Sequence, residues 1–256
     1  MARNDPKKDK KLKKSKRKVR YNYYKNAKKN ELLKNSNKLY ECFEMNYIFI
    51  IIVIFCIYAL NYFNKEHYSY INSLSSFILA ILIGWVVHFI SHAFDFEKLY
   101  DTTDIWIFKF FKSHPMLDST IRKVMLYTVD FHDKIHHDSK INKRPLNIIN
   151  EIFQNILTQG GFLILVSLMT HINMDRTSIM LWGLMYASVH NINYFLVGNS
   201  QHKNHHIDPK TNYALDILDI MFDTKYDLNN IENLNINWGV NMIIFTFIII
   251  YFKLYI

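Results

Sequence analysis

The amino-acid sequence predicts an all-α, polytopic membrane protein, with about four transmembrane helices and a cytosolic, histidine-rich helical cap. Three observations predict it. Apolar residues gather into long runs, most of them close to the roughly 20 residues that cross a bilayer. The 256-residue chain has only 6 glycines and 4 prolines, too few turn formers for a fold of many short strands. Charge is segregated: residues 1–40 hold 16 Lys/Arg against 3 Asp/Glu, whereas residues 41–256 hold 15 against 19. The mean hydropathy of −0.05 therefore averages a polar leader with an apolar body. The chain divides accordingly into a polybasic tail, 1–40, and a membrane-embedded domain, 41–256.

The tail, with KKDKKLKKSKRKVR over residues 7–20, is too polar to bury a core and reads as disordered. It is not a secretory leader, because its charged region is too long and no small-residue cleavage site follows the next apolar run. Lying beside a span, it is placed to touch anionic lipid. A nucleic-acid partner is not expected, since the net basic charge belongs to the tail and not to a face of the fold. The first apolar run, 47–63, contains one Asn and no charge. The second covers 71–94 and the third 152–169, with Gly160 and Gly161 inside it. The fourth, 179–197, follows after a small polar turn, and the fifth, 240–251, ends the chain. Lys/Arg mark the cytosolic side, so the tail stays in the cytosol and the first two runs go out and back. Residues 95–150 are then cytosolic, the third and fourth runs form a second pair, and residues 198–239 are cytosolic again. The fifth run spans, lies in the interface or packs on the body. Two cysteines, Cys42 and Cys56, support neither a disulfide framework nor a thiolate zinc site and read as inert.

Nine of the 12 histidines fall in four short windows. His88 and His92 form HFISH; His132, His136 and His137 form HDKIHH; His190 stands in SVHNINY; His202, His205 and His206 form HKNHH. Residues three or four apart share a helix face, so each box presents imidazoles side by side. The second member of each HH pair points about 100° further round, towards a different metal or another side of the same one. Neutral imidazole is the commonest metal ligand, and the topology above puts all nine on one side of the membrane. Nine imidazoles exceed one ion, and two metals with four or five ligands each is the natural count. Imidazole suits Zn, Cu and Fe alike. His67 and His171 fall on the opposite side, and His114 precedes Pro115 in a turn.

In order and spacing, HFISH, HDKIHH and HKNHH resemble the histidine boxes of the membrane-bound fatty acid hydroxylase / sterol desaturase superfamily, with His190 like that family's extra histidine before the last box. The family's NYG and WDxxFGT follow the last box; here Asn212-Tyr213-Ala214, Leu218-Asp219 and Met221-Phe222-Asp223-Thr224 stand in those places. The likeness covers about residues 80–226. Ala214 and Asp223 replace the usual glycines, Leu218 replaces Trp, and the Arg that often follows the first histidine is absent, which marks a divergent branch. The resemblance implies two non-haem iron ions held by the nine histidines, O2 as co-substrate, and hydroxylation or desaturation of a sterol, fatty acyl or sphingolipid-type C–H bond. It also implies an external electron donor such as cytochrome b5 and an endoplasmic-reticulum-type membrane with the site on the cytosolic face. The competing reading is a membrane scaffold or metal-binding protein without catalysis. Carboxylates that orient the imidazoles through their second nitrogen would come from Asp95, Asp130, Asp133, Asp138, Asp208 or Asp219, with Asp219 favoured because it matches the family's WD position. Glu151 opens the third run and reads as another such partner or as a helix cap.

Overall fold

A computed structural model describes the backbone of residues 6–64, 68–194 and 198–255, with side chains from Leu33 onward. All regular structure among these residues is helical. Helix α1, Pro6–Tyr62, is unbroken. The basic segment expected to be disordered is thus helical in backbone from Pro6. Physically, a Pro at the helix start costs little, and no Gly or further Pro interrupts a stretch rich in Lys, Arg and Leu. In its apolar half, Cys42, Asn46, Phe49, Cys56, Ile57 and Leu60 form a buried stripe at helical spacing. The opposite face leaves Ile51, Phe55 and Tyr62 exposed, Phe55 at 66%.

Helix α2, Tyr70–Ala93, starts where Ser69 Oγ accepts from Asn72 N at 3.2 Å. Its buried stripe reads Ser73, Ser76, Phe77, Ala80, Gly84 and His88. Small residues along that stripe let neighbouring backbones approach closely, and the same stripe carries His88 inward at the helix end. Short helices α3 (Phe96–Thr102), α4 (Trp106–Lys112) and α5 (Pro115–Leu126) lead to a π-turn over His132–His136. Helix α6, Pro145–Ile156, runs through a second π-turn, Leu157–Gly161, into α7, Phe162–Thr170. The chain then reverses into α8, Arg176–Ser188, capped by Asp175, which accepts from Thr177 N at 3.0 Å and Ser178 N at 3.4 Å. A third π-turn, Val189–Asn193, extends it. Helices α9 (Ser200–Ile207), α10 (Asp216–Met221) and α11 (Leu234–Asn237) precede the last helix, α12, Gly239–Tyr255.

Among the described residues, four helical stretches are long and apolar enough to cross a membrane: Leu33–Tyr62, Tyr70–Ala93, Pro145–Thr170 and Leu234–Tyr255. Their exposed apolar faces, such as Ile78 and Leu82 on α2 and Ile244 and Phe247 on α12, are surface that water does not tolerate at this scale and a bilayer covers. This is the architecture of a multi-pass membrane protein. The fifth run, left open by the sequence, belongs to a stretch of spanning length. The described part of the fourth run, α8 and the third π-turn, is the centre of the bundle, with Ile179, Leu181, Trp182, Met185 and Val189 all buried. It packs against α2, α6 and α12, and a helix apolar on all sides is one surrounded by protein.

Glycine permits the closest approach. A Cβ on Gly160 would lie 2.9 Å from the Ile179 carbonyl oxygen, and one on Gly183 would lie 3.2 Å from that of Ile156. These reciprocal contacts set α8 antiparallel to the α6–α7 stretch. The two ends of the bundle differ. At one end Asn72 Nδ2 donates to Asn173 O at 2.8 Å and Lys253 Nζ donates to Thr177 Oγ1 at 2.6 Å. At the other lie the ends of α2 and α8, the start of α6 and two long connecting segments, residues 94–144 and 198–233.

Candidate metal centre

All nine histidines singled out in the sequence meet at this second end. His88, His92, His132 and His205 form one group whose ligand atoms lie within 4.8 Å of one another; His136, His202 and His206 form a second. His136 also groups with Glu151 and His190 within the same limit. His137 lies between them, its ring 4.8 Å from His92 and 4.4 Å from His206. The HH pairs divide as the helix geometry requires: His205 joins the first group and His206 the second. In the π-turn His132 and His136 stack at 4.9 Å with an interplanar angle of 18°, so adjacent imidazoles serve different groups.

The hydrogen bonds of the first group fix which nitrogens face inward. His88 Nδ1 donates to the Tyr213 carbonyl, His205 Nδ1 donates to Thr211 O at 2.6 Å, and His92 Nδ1 donates to Asp133 Oδ1 at 3.2 Å. In a neutral imidazole this leaves Nε2 as a lone pair. Yet His88 Nε2 is 2.8 Å from His132 Nε2 and 3.1 Å from His205 Nε2, and His92 Nε2 is 3.1 Å from His205 Nε2. Three of the four Nε2 atoms are thereby acceptors converging on one point, and acceptors do not bond one another. A cation between them resolves the arrangement. With metal–nitrogen bonds of about 2.1 Å, neighbouring donors at right angles stand about 3.0 Å apart. In the second group His206 Nε2 is 3.1 Å from His202 Nε2. Both ring nitrogens of His136 and of His137, with Nε2 of His190, are buried without an aligned hydrogen-bond partner. Buried polar atoms are normally paired, and a cation held among these nitrogens would satisfy them.

Electrostatics favours the same state. Burial, reinforced by the neighbouring His136 imidazole, pushes the His206 imidazole down to about 4 from 6.5. Burial and neighbouring imidazoles lower His132, His137 and His202 as well. Neutral imidazole is the ligating form. As pH falls below about 6.5, the unfolded chain takes up protons that the folded chain refuses until its own depressed pKa is reached. Metal-free protein in detergent should therefore unfold at progressively lower temperature between about pH 6.5 and pH 4. A thermal midpoint unchanged across that range contradicts this reading.

The candidate orienting carboxylates separate clearly. Asp133 touches His92. Asp219 touches no imidazole among its described contacts; it holds one in place through the backbone. Its carboxylate accepts from Trp85 Nε1 at 3.1 Å, Tyr213 N at 3.0 Å, Ala214 N at 3.2 Å and Thr224 Oγ1 at 2.7 Å. That fixes the turn whose Tyr213 carbonyl receives His88. Asp95 caps α3 by accepting from Lys98 N, and Asp130 accepts from Phe96 N and Glu97 N. Asp138 and Asp208 accept from Lys140 N and Lys210 N within their own turns. Glu151 does not cap a helix, since α6 begins at Pro145 and Glu151 is buried in its middle; of its two readings the structure favours the other, with Oε2 3.0 Å from His136 Nδ1 and Oε1 3.2 Å from His190 Nε2.

Residues outside the boxes complete the site. Tyr186 stacks on His190 at 5.5 Å and 13°, its hydroxyl 3.5 Å from His88 Nδ1, and Tyr194 lies 5.5 Å from His202. Both stand four residues from His190, a spacing visible in the sequence. Glu232 left no such signal. It is buried and accepts from Tyr194 Oη at 2.8 Å, Asn199 Nδ2 at 2.7 Å and Asn237 Nδ2 at 2.9 Å. Asn199 in turn caps α9 by accepting from His202 N at 3.0 Å, so Glu232 anchors the helix carrying the last box. His171 ends α7 in the left-handed conformation at the opposite end, His114 is exposed with Nδ1 donating to Phe110 O at 2.8 Å, and His67 lies outside the described residues. No family model matches the chain, and no curated protein or solved structure matches it either.

Proposed function

We propose that the chain is a membrane lipid oxidoreductase whose nine histidines hold two non-haem iron ions, and that it hydroxylates or desaturates a lipid C–H bond. The observation that carries this is the convergence of nine imidazoles, drawn from four separate windows, at one end of a bundle of membrane-length helices. When bound, two irons supply the oxidising chemistry: O2 and two electrons from an external donor such as cytochrome b5 yield water and either an alcohol or an alkene. The protein's part is ligation, orientation and shielding. Asp133, Thr211 O and Tyr213 O hold three imidazoles in the tautomer that aims Nε2 inward. Trp85, Phe89 and Tyr213 pack around the first group and keep water from it. Phe89 and Ile90, exposed on α2 beside His88 and His92, give a lipid chain an apolar approach from the bilayer.

The resemblance in the sequence gains support from Asp223. Where the family carries glycine, this residue has φ of 57°, a conformation that glycine adopts freely and that Asp tolerates better than most residues. On this reading the site faces the cytosol of an endoplasmic-reticulum-type membrane, and the basic segment attracts anionic lipid. The test is iron content after purification in mild detergent, combined with lipid profiles of cells expressing wild type or His136→Ala. About two irons per chain and a product lost in the variant are expected. A lipid profile identical in both, with iron bound, favours the metal-binding scaffold instead, and an active preparation free of iron overturns the proposal.

A further inference from the structure

The geometry points to Glu151 as a direct metal ligand, so that the second centre pairs a carboxylate with imidazoles while the first is built from imidazoles alone. This inference rests on the two-metal reading above and deepens it. Glu151 Oε2 lies 3.0 Å from His136 Nδ1, and Oε1 lies 3.2 Å from His190 Nε2. These are hydrogen-bond lengths, yet both ring nitrogens lack an aligned partner. The N–H directions miss the carboxylate oxygens. A carboxylate that merely oriented these rings would sit in line with their N–H bonds, as Asp133 does with His92. Nitrogens and oxygens this close but out of line stand as donors to one shared ion stand, and the ligand atoms of His136, Glu151 and His190 all lie within 4.8 Å of one another.

The surroundings exclude the usual alternative uses of a buried acid. No Lys or Arg is paired with Glu151 among the described ion pairs; its partners there are two neutral-type imidazoles. Its position in mid-α6 rules out a cap. The residue is 8% exposed, and an ionised carboxylate is not kept in such a place without a counter-charge. A divalent cation against His136 and His190 provides one. His136 belongs to both groupings in the second half of the site, and the His190 ring lies 4.4 Å from that of His202, so Glu151 adjoins the His202/His206 side. The two centres then differ in charge by one unit. The carboxylate-bearing centre favours the harder, more highly charged ion.

The experiment compares iron content of purified wild type and Glu151→Gln, a substitution that keeps the volume and can still accept a hydrogen bond from either ring. Wild type should hold about two irons and the variant about one, with the monodisperse size of the detergent-solubilised protein unchanged. Two irons in both would overturn the ligand assignment and leave the two-metal reading standing. No iron in wild type would instead remove the two-metal reading and the assignment with it. Should Glu151→Gln fail to fold, wild type labelled with 13C at the glutamate carboxyl groups is compared with and without iron by difference infrared spectroscopy. A label-sensitive carboxylate band that shifts on iron binding supports the assignment, and a difference spectrum free of label-sensitive bands refutes it.

Discussion

On the proposed two-iron reading, replacing His205 with alanine should remove one bound metal and lower turnover by more than about a hundredfold. That is the upper range for losing a mere partner of a metal ligand, and a ligand counts for more. His205 sits centrally in the first group, its Nε2 3.1 Å from the corresponding atoms of both His88 and His92. Its Nδ1 is already committed to Thr211 O, so the ring cannot turn away without losing that bond. Alanine leaves three imidazoles and a void against them. His114→Ala provides the control, because that ring is exposed and bonded locally to Phe110; its metal content and turnover should equal wild type. Metal analysis with product measurement decides the matter: a His205→Ala protein that keeps both metals and full turnover refutes the grouping.

Gly160→Leu should produce the largest loss of stability. A Cβ at residue 160 would stand 2.9 Å from the Ile179 carbonyl oxygen, which is backbone inside the helix that fills the bundle. A flexible side chain could step aside; a helix backbone cannot. The remaining atoms of a leucine force α8 away from α6 and α7, disturbing Leu181, Trp182 and Met185, all fully buried. Overpacking alone costs about 1–3 kcal/mol, and the displaced core residues add to it. We expect destabilisation above about 3 kcal/mol, read as a large drop in thermal midpoint in detergent. Gly160→Ala should cost less, since it brings only the Cβ against the Ile179 carbonyl and none of the further leucine atoms, though it too displaces backbone. Equal midpoints for wild type and Gly160→Leu would show that α8 does not pack as described.

How much of this could be read from residues alone depended on distance along the chain. Spacing within a box is local, so the sharing of faces by His88 and His92, or by His202 and His206, follows from helix geometry. Apolar length is also local, and it identified the first three spans. The roles of Glu151 and Glu232 are not local. Each depends on residues tens of positions away: Glu151 could be read as an imidazole partner or a cap but not matched to His136 and His190, and Glu232, in its Asn-rich stretch, resembles a surface group until the fold closes around it. That protein rather than lipid surrounds the fourth run was illegible for a related reason. Being apolar is required both of a helix in lipid and of a helix inside protein, and only its neighbours distinguish Ile179 and Trp182 from residues facing a bilayer. Asp219 occupied the expected region yet acts through the Tyr213 turn, a step that depends on backbone geometry rather than on residue type.

The three π-turns carry a consequence for how this chain tolerates change in length. A π-turn is an α-helix holding one residue more than its regular ladder needs. Deleting a single residue within Leu157–Gly161 would close that turn into ordinary α-helix and rotate everything on one side of it by about 100° relative to the other. Either Glu151 would swing away from His136 and His190, or Gly160 would leave its place against Ile179. The same holds for His132–His136 and Val189–Asn193, each of which holds imidazoles of the cluster. Substitutions on the lipid-facing sides can accumulate freely, whereas at these three points a one-residue deletion, even of an apolar residue far from any imidazole, should be as damaging as the loss of a histidine.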